Sequence, residues 1–312
     1  MSNSLPRDPS NMLVNEHRGI VPALKSAIKE HLPFFYERFL KPIGIFLVVQ
    51  KHGPKVRSAI SAMLSEKPFP LFSHVEIETI NRCNNTCSFC PVNRKSDTRP
   101  FCRMETSFFK SIIGQLSELG YSGALGLFSN NEPLLDDRIF EFCRIARESI
   151  PNAFIFIMTN GILLNIEKTE LLMRYLDRLV IDNYDDSLRL IKPVQEVYDY
   201  CVSNNKYSDR IKICLRKRNE ILTNRAGKAP NRTVRIKVAS ACLYPYSQMI
   251  IRPDGKVSLC CNDACGMMTL GDLNTQKMAD VWRGEKFMTI REKLSRGRAD
   301  IPLCSGCDSG TL

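Results

Sequence analysis

Between residues 74 and 216 short apolar segments alternate with helical patterns, and this alternation restricts the possible folds more than any other feature. Strands that alternate with helices form a parallel sheet with right-handed crossovers. Because five strands are too few to close an eight-stranded barrel, we expect an α/β fold with an open, partial TIM-like barrel of about five to six parallel strands. The pattern βαβαβαβαβ predicts strands at Val75–Ile80, Ala124–Phe128, Ala153–Met158, Arg178–Asp182 and Ile211–Arg216, and helices at Thr106–Leu119, Asp137–Ser149, Lys168–Tyr175 and Pro193–Cys201.

Two further regions flank this core, so we predict a division into residues 1–70, 71–237 and 238–312. The first is an extension with helices predicted at Val21–His31 and Lys55–Leu64. Its apolar segment Phe34–Val49 could pack on the main domain or lie at a membrane surface; we favour packing, because no clean basic amphipathic face is visible. The last region is a small α+β domain with a hairpin predicted around Pro253-Asp254-Gly255.

The chain contains 13 cysteines, an odd and high number, and several of them are clustered. No apolar run is long enough to cross a bilayer, and the N-terminus lacks the apolar core of a signal peptide. These features predict a cytoplasmic protein. In a reducing compartment, clustered cysteines bind metal more often than they form disulfides.

The first cluster consists of Cys83, Cys87 and Cys90, which follow a predicted strand at spacings of four and three residues. Three thiolates from one loop can hold an iron–sulfur cluster and leave one iron atom without a protein ligand. An open metal position is a catalytic feature, whereas a closed four-ligand site is structural. A zinc knuckle is the alternative, but its nearest fourth ligand, Cys102, lies twelve residues beyond Cys90.

This C-x3-C-x2-C loop, with the aromatic Phe89 before its last cysteine, resembles the hallmark of the radical S-adenosylmethionine (radical SAM) superfamily. The resemblance implies a [4Fe–4S] cluster whose open iron binds S-adenosylmethionine. One electron then cleaves this cosubstrate and releases a 5′-deoxyadenosyl radical, which abstracts hydrogen from the substrate. In such enzymes the cofactor supplies the chemistry and the protein supplies orientation and shielding.

Two other segments at predicted strand ends support the resemblance. Asn130-Asn131-Glu132-Pro133 is similar to the family's G-G-E-P segment, with both glycines replaced by asparagine. Thr159-Asn160-Gly161 is similar to a segment that borders the cofactor's ribose. The resemblance implies cofactor binding by Phe89, Glu132, Thr159 and Asn160, with Glu132 accepting hydrogen bonds from the ammonium group. Ligand sites of parallel α/β folds lie at the carboxyl ends of the strands.

A second cysteine set lies near the C-terminus. Cys242, Gly255 and Cys260 resemble the start of a SPASM domain, and Cys304-Ser-Gly-Cys307 supplies a further pair. Only five residues follow Cys307, so the resemblance implies the shortened twitch form. That form binds one auxiliary [4Fe–4S] cluster, here through Cys242, Cys260, Cys304 and Cys307. Cys261 is a rival to Cys260, Cys265 is a weaker one, and structural zinc is the alternative to a cluster.

The combined pattern resembles the twitch-containing radical dehydrogenases of aminoglycoside assembly, which share an Asn-Arg-x-Gly segment between the domains, here Asn224-Arg225-Ala226-Gly227. The resemblance implies an oxidoreductase in which Arg225 contacts a substrate hydroxyl and the auxiliary cluster accepts the second electron. We expect net oxidation of a sugar, a cyclitol or a nucleotide-linked sugar. The alternatives are a peptide-modifying maturase, a redox-neutral epimerase with a hydrogen-donating cysteine, and a non-catalytic zinc or nucleic-acid binding protein.

Charge is concentrated between Lys206 and Lys237, where eleven basic and two acidic residues give a net charge of +9. This segment is either a solvated surface or a site for an anion, so a small, anionic substrate is attractive. We do not expect nucleic acid as a partner, because no stacking aromatics are interleaved with the basic residues. The family resemblance implies a protein reductant such as flavodoxin or ferredoxin.

Overall fold

The computed structural model describes residues 12–15, 20–232, 234, 238 and 240–309. The strands are β1 (Leu13–Val14), β2 (His74–Ile77), β3 (Ala124–Gly126), β4 (Phe154–Thr159), β5 (Arg178–Tyr184), β6 (Ile211–Arg216), β7 (Gln248–Ile251), β8 (Lys256–Ser258) and β9 (Thr269–Asp272). The longer helices are α1 (Ile20–His31), α3 (Lys41–Ser65), α4 (Thr106–Glu118), α5 (Ile139–Ser149), α6 (Ile166–Met173), α7 (Lys192–Ser203) and α10 (Glu285–Arg296). The shorter ones are α2 (Pro33–Phe35), α8 (Tyr244–Ser247), α9 (Met278–Arg283) and α11 (Pro302–Ser305), with a π-helical turn at Tyr36–Leu40 and a 3₁₀ turn at Pro133–Leu135.

All these strands belong to one nine-stranded sheet in the order β1-β6-β5-β4-β3-β2-β7-β8-β9. The pairs from β1 to β7 are parallel, and only β7–β8 and β8–β9 are antiparallel. The expected α/β class and the open parallel barrel are therefore confirmed. The parallel part has seven strands rather than five to six, because β1 and β7 join its two edges.

The predicted C-terminal hairpin is present, but it continues the barrel sheet. β7 pairs in parallel with β2, for example at Val75 and Met249. The turn before β8 contains Gly255, whose φ of 80° is the left-handed conformation that favours glycine. The core is continuous across this junction, since Trp282 packs edge to face on Phe72 and donates to the carbonyl of Pro70 at 2.7 Å.

The carboxyl ends of five parallel strands lie side by side at one edge of the sheet. The loop with the first cysteine cluster follows β2, the Asn130 loop follows β3, and Thr159 ends β4. β5 and β6 end at Tyr184 and Arg216. The alternating burial along β4 and β5 shows that one set of their side chains faces the packed core and the other faces the barrel interior.

The N-terminal region differs from its prediction in two respects. The helix expected at Lys55–Leu64 begins at Lys41, because Pro42 occupies the first turn, where proline is tolerated. Packing of Phe34–Val49 on the main domain was the favoured interpretation, and it is wrong for most of this segment's large apolar side chains. They are exposed, as with Phe34, Ile43 and Leu47. In the described part of the chain, none of the helices is long and apolar enough to cross a bilayer.

Candidate active site

The loop from Cys83 to Cys90 is held by hydrogen bonds within its own backbone. Asn93 fixes its end, because the side-chain amide donates to the carbonyls of Cys87 and Cys90 at 2.9 and 2.8 Å. The amide of Asn85 lies 3.5 Å from Sγ of Cys83. Backbone donors near a sulfur stabilise its thiolate form, which is the form that binds iron.

Glu132 is brought together with the two residues predicted to lie beside it at the end of β4. Its Oε1 accepts from the hydroxyl of Thr159 at 2.7 Å, and Oε2 accepts from the backbone amide of Asn160 at 2.7 Å. The first turn after Pro133 contributes the amide of Leu134, which donates to Oε1 at 3.0 Å. The carboxylate is therefore fixed by the ends of two neighbouring strands.

Burial also affects the charge state of this carboxylate. Glu132 is almost completely buried, and desolvation raises its pKa to about 6. The donors from Asn160, Thr159 and Leu134 act in the opposite direction, because they stabilise the charged form. Glu132 is consequently a carboxylate at neutral pH, but only narrowly, and an ammonium group placed beside it would be stabilised.

Asn160 connects this carboxylate to the cysteine loop. Its side-chain amide donates to Oδ1 of Asn84 at 2.7 Å and lies 3.9 Å from Sγ of Cys83. The structure therefore gathers the sequence-predicted residues Cys83, Glu132 and Asn160 within one contact network.

These residues line a cavity of about 340 Å³ at the carboxyl edge of the sheet. Its wall contains every predicted residue of the first site, namely Cys83, Cys87, Phe89, Cys90, Glu132, Thr159, Asn160 and Arg225. Sequence reasoning missed other polar lining residues, in particular Glu76, Asp182, Tyr184 and Arg216. Asp182 accepts from Nε of Arg216 at 3.0 Å. Position at a strand end was the only signal that could have indicated Asp182, Tyr184 and Arg216, because they belong to no motif.

Arg225 reaches the cavity from the loop between β6 and α8. Its Nη2 donates to Oδ1 of Asn130 at 3.0 Å, and its φ of 48° lies in the left-handed region that non-glycine residues rarely adopt. Asn130 in turn donates through Nδ2 to the carbonyl of Cys261 at 3.2 Å. The asparagine that replaces the family's first glycine thus joins the barrel to Arg225 and to the second cysteine region.

Buried polar contacts with the C-terminal tail hold the Arg225 loop in place. The backbone amide of Asn224 donates to Asp308 at 2.7 Å, and its side-chain amide donates to the carbonyl of Gly306 at 2.6 Å. Asp308 also forms ion pairs with Lys41 at 2.5 Å and with Arg232 at 3.2 Å. The loop conformation therefore depends on residues next to Cys307.

The second cysteine set is assembled from three chain segments. Cys242, Cys260, Cys304 and Cys307 are all buried and in the free thiol form. The buried guanidinium of Arg298 ties two of these segments together, since it donates to the carbonyl of Ser240 at 2.8 Å and to that of Cys307 at 3.1 Å. Ser309 donates to Oδ1 of Asn262 at 3.1 Å and ties in the third.

Cys260 and Cys261 lie in different surroundings. Burial raises the pKa of the Cys260 thiol well above the usual range, and its electrostatic neighbours are Cys261, Cys242 and Cys307. Cys261 also interacts with Cys242, but it lines the reaction cavity, where Glu76 and Arg225 influence it. Cys265 is exposed. The arrangement favours Cys260 as the fourth member of the buried set.

The donor chemistry of both sets fits iron–sulfur clusters. Burial raises the pKa of Cys83 to about 11 and that of Cys304 to about 12, so these thiols would ionise at neutral pH only when a metal cation binds them. Across the described residues, no three Cys, His, Asp or Glu side chains converge as the ligands of a single metal ion would. In a cluster each cysteine binds a different iron atom, so that convergence is not required.

The basic segment is used mainly in separate local contacts. Lys206 pairs with Glu170 at 2.9 Å, and Lys217 pairs with Glu30 at 2.6 Å. Among the basic residues of this segment that the structure describes, only Arg216 and Arg225 line the cavity. Arg235 and Lys237 lie outside the described residues.

Sequence comparison with known families agrees with this geometry. Residues 77–196 match the Radical SAM superfamily, and residues 242–308 match the iron-sulfur cluster-binding domain named SPASM. By these two matches the chain is similar to radical SAM enzymes that carry a SPASM domain. It is an enzyme of the oxidoreductase class whose cofactors are [4Fe–4S] clusters and S-adenosylmethionine.

Individual relatives extend the comparison over most of the chain. The S-adenosyl-L-methionine-dependent 2-deoxy-scyllo-inosamine dehydrogenase of Niallia circulans is 27% identical over 241 residues, which are 77% of this chain and 94% of the relative. The crystal structure of BtrN in complex with AdoMet and 2-DOIA matches with a TM-score of 0.67 at 26% identity, again over 77% and 94% of the two chains. An open conformation of BtrN matches the fold with a TM-score of 0.58 at 23% identity over the same shares.

Proposed function

We propose that this enzyme oxidises a hydroxyl group of a sugar, a cyclitol or a nucleotide-linked sugar to a carbonyl. One observation carries the proposal: a single cavity is bordered by the first cysteine set and by Cys261, the neighbour of Cys260 in the second set. A substrate in this cavity lies between the two cysteine sets. The similarity to a 2-deoxy-scyllo-inosamine dehydrogenase supports the same chemistry.

In this proposal Cys83, Cys87 and Cys90 hold the cluster that binds S-adenosylmethionine, and Cys242, Cys260, Cys304 and Cys307 hold the auxiliary cluster. When bound, the first cluster and S-adenosylmethionine would supply a 5′-deoxyadenosyl radical that removes a hydrogen atom from the substrate. The auxiliary cluster would accept one further electron. Glu132 accepts hydrogen bonds from the cofactor's ammonium group, and Thr159 and Asn160 keep the carboxylate oriented through their bonds of 2.7 Å. The wall that includes Phe89 excludes water from the reacting centre.

Arg225 binds the substrate hydroxyl that becomes the carbonyl. Its guanidinium is held at the cavity by Asn130, which leaves further N–H groups to face a ligand. A cation beside a hydroxyl lowers the pKa of that hydroxyl and stabilises negative charge on its oxygen. Arg225 therefore orients the carbinol carbon and promotes loss of the hydroxyl proton.

Glu76 is the group that takes this proton. Its carboxylate lines the cavity, accepts from the hydroxyl of Ser129 at 2.7 Å and contacts Nε2 of His74 at 3.1 Å. The charges of Glu76 and Arg225 both act on the thiol of Cys261, so the two groups share one end of the cavity. A base and a cation on the same side suit removal of a proton from a bound hydroxyl.

The remaining expectations stand as part of the proposal. The 13 free cysteines suit the cytoplasm, where thiols stay reduced. A protein reductant such as flavodoxin or ferredoxin supplies the electron that starts each turnover, and nucleic acid is not a partner. The division at residues 1–70, 71–237 and 238–312 remains a prediction, as does a substrate with a negative charge.

The experiment is an anaerobic incubation of the reconstituted enzyme with S-adenosylmethionine, dithionite and a panel of 2-deoxy-scyllo-inosamine, other aminocyclitols and nucleotide sugars. The proposal predicts a product lighter than its substrate by two hydrogen atoms, formed together with an equal amount of 5′-deoxyadenosine. A Glu76→Gln variant should slow product formation by about 100-fold, the usual contribution of a general base.

Two results would replace this function. A product of unchanged mass in H₂O that gains one deuterium atom when the reaction is run in D₂O would indicate an epimerase, with Cys261 as the donor of the returning hydrogen. Modification of a peptide, with no product from any sugar or cyclitol, would indicate a maturase. A colourless protein with zinc in place of iron would contradict every form of the proposal.

A further inference from the structure

Large exposed apolar side chains are concentrated in one part of the molecule. Sixteen large apolar residues are exposed in the described chain, and ten of them lie between residues 21 and 47. We refer to residues 21–47 as the N-terminal apolar segment; the ten are Val21, Leu24, Leu32, Phe34, Phe35, Phe39, Leu40, Ile43, Phe46 and Leu47. Soluble proteins rarely expose so many neighbouring apolar side chains unless they bind another surface.

The charges around this segment have one predominant sign. Between residues 21 and 57 the exposed basic residues are Lys25, Arg38, Lys51, Lys55 and Arg57, and the only acidic residues are Glu30 and Glu37. Glu37 is buried in an ion pair with Arg232, and Glu30 pairs with Lys217. The segment therefore presents aromatic and aliphatic side chains surrounded by positive charge.

The segment is fixed to the rest of the protein rather than loosely attached. Lys41 reaches the buried carboxylate of Asp308 at 2.5 Å and the carbonyl of Leu222 at 3.0 Å. Tyr36 is buried, and the ammonium group of Lys29 lies over its ring. These contacts hold the π-helical turn and the start of α3 while their apolar neighbours remain exposed.

The segment also borders a cleft that lies beside the reaction cavity. A cleft of about 580 Å³ lies between α1, lined by Val21 and Lys25, and the chain from Lys217 to Leu222. Leu222 lines both this cleft and the active-site cavity. The N-terminal apolar segment and the active-site cavity therefore lie on neighbouring parts of the molecule, with Leu222 between them.

We propose that the N-terminal apolar segment binds the surface of an anionic lipid bilayer. Phenylalanine and leucine side chains insert into the boundary between headgroups and acyl chains, and lysine and arginine bind the acidic headgroups. A second copy of this chain is a poorer occupant. A symmetric dimer places the same surface on both sides of its interface, and the basic residues of the two copies would then face each other. An acidic lipid surface complements both the charge and the apolar side chains.

The test is co-sedimentation of the iron-loaded enzyme with vesicles of phosphatidylcholine containing about one third phosphatidylglycerol. The triple variant F34S/F39S/F46S should lose at least about tenfold in vesicle affinity. A control triple, F154S/V202S/M267S, removes exposed apolar side chains elsewhere and should bind like the wild type. Vesicles of pure phosphatidylcholine, or the charge variant K25S/K51S/K55S, should also bind at least about tenfold more weakly.

Two outcomes would overturn the proposal. One is a wild type that sediments with acidic vesicles no more than the F34S/F39S/F46S variant does. The other is a dimer of the wild type, seen without lipid by analytical ultracentrifugation, that F34S/F39S/F46S abolishes and the control triple does not. The segment would then be covered by a second copy of the chain. Vesicle binding does not require turnover, so a failure of the oxidation assay leaves the vesicle result unaffected. In the same way, a failure to bind vesicles leaves the oxidation assay unaffected.

Discussion

Oδ1 of Asn130 accepts a hydrogen bond from Nη2 of Arg225 at 3.0 Å, and this bond joins two distant parts of the chain at the reaction cavity. Asn130 occupies a position where the family's motif has glycine, which has no side chain to offer. The same side chain donates to the carbonyl of Cys261, beside the second cysteine set. Asn130 therefore links the barrel to Arg225, which we propose binds the substrate, and to the second cysteine set.

We expect Asn130→Ala to lower kcat/KM for the oxidised substrate by about tenfold, because it removes a hydrogen bond to a charged group worth about 1.5 kcal/mol. Asn131→Ala is the matched control, since Asn131 bonds to Ser129 and not to Arg225. In an Arg225→Lys background, which cannot reproduce the guanidinium geometry, the Asn130 substitution should have little further effect. Steady-state kinetics of the wild type, Asn130→Ala, Arg225→Lys and the double variant measure this coupling; fully additive losses would argue against the link.

The raised pKa of Glu132 predicts that use of S-adenosylmethionine depends on pH. Burial raises its pKa to about 6, so the carboxylate is the main form above that pH and is lost as the pH falls below it. Because an ammonium group is bound by the carboxylate form, kcat/KM for S-adenosylmethionine should fall about tenfold for each pH unit below 6. The measurement is 5′-deoxyadenosine formation from pH 5 to 8. Glu132→Gln should be weakly active and show no such decline; a decline that persists in this variant would assign the titration to another group.

The first site could be predicted from the sequence because its residues lie in short motifs at strand ends. Cys83, Glu132 and Asn160 come from three separate segments, and the parallel sheet brings them together as the alternation of strands and helices requires. Iron–sulfur chemistry depends on the cysteine side chains themselves, so the cysteines could be recognised from their type and spacing without any long-range geometry.

Other parts of the fold and of the site could not be predicted, because they depend on contacts between segments that are distant in the sequence. β1 has only two residues, and β7 joins the barrel through pairing with β2 across more than 170 residues of chain. Glu76 and Asp182 lie within strands whose apolar neighbours determine the pattern. The exposure of the N-terminal apolar segment was also not predictable, because composition does not reveal whether an apolar side chain has a partner.

The second cysteine set can be assigned by substitution. Cys260→Ala should lower the iron content from about eight toward about four atoms per chain, because a [4Fe–4S] cluster loses one of its four thiolates. Cys261→Ala is the neighbouring control, and it should keep all the iron, since Cys261 faces the reaction cavity. Iron analysis after anaerobic reconstitution shows which of the two cysteines is the ligand. Loss of iron from Cys261→Ala, with full iron content in Cys260→Ala, would make Cys261 the ligand.

Asp308 should be essential for stability. Its fully buried carboxylate pairs with Lys41 and Arg232 and accepts from the amide of Asn224. Asp308→Asn leaves the ammonium group of Lys41 without its counter-charge, while Arg232 keeps only Glu37, so we expect the free energy of unfolding to fall by about 3 kcal/mol. Urea denaturation of the anaerobic enzyme measures it. Glu148→Gln, which removes an exposed pair with Arg144, should leave the midpoint unchanged; equal effects of the two variants would contradict the role of the buried network.

The central claim is that Cys83, Cys87 and Cys90 support reductive cleavage of S-adenosylmethionine. It is tested most directly by quantifying 5′-deoxyadenosine after anaerobic incubation of the reconstituted wild type, Cys87→Ala and Cys304→Ala with dithionite. The account predicts 5′-deoxyadenosine from the wild type and from Cys304→Ala and only background from Cys87→Ala. Equal amounts from the wild type and Cys87→Ala would contradict it.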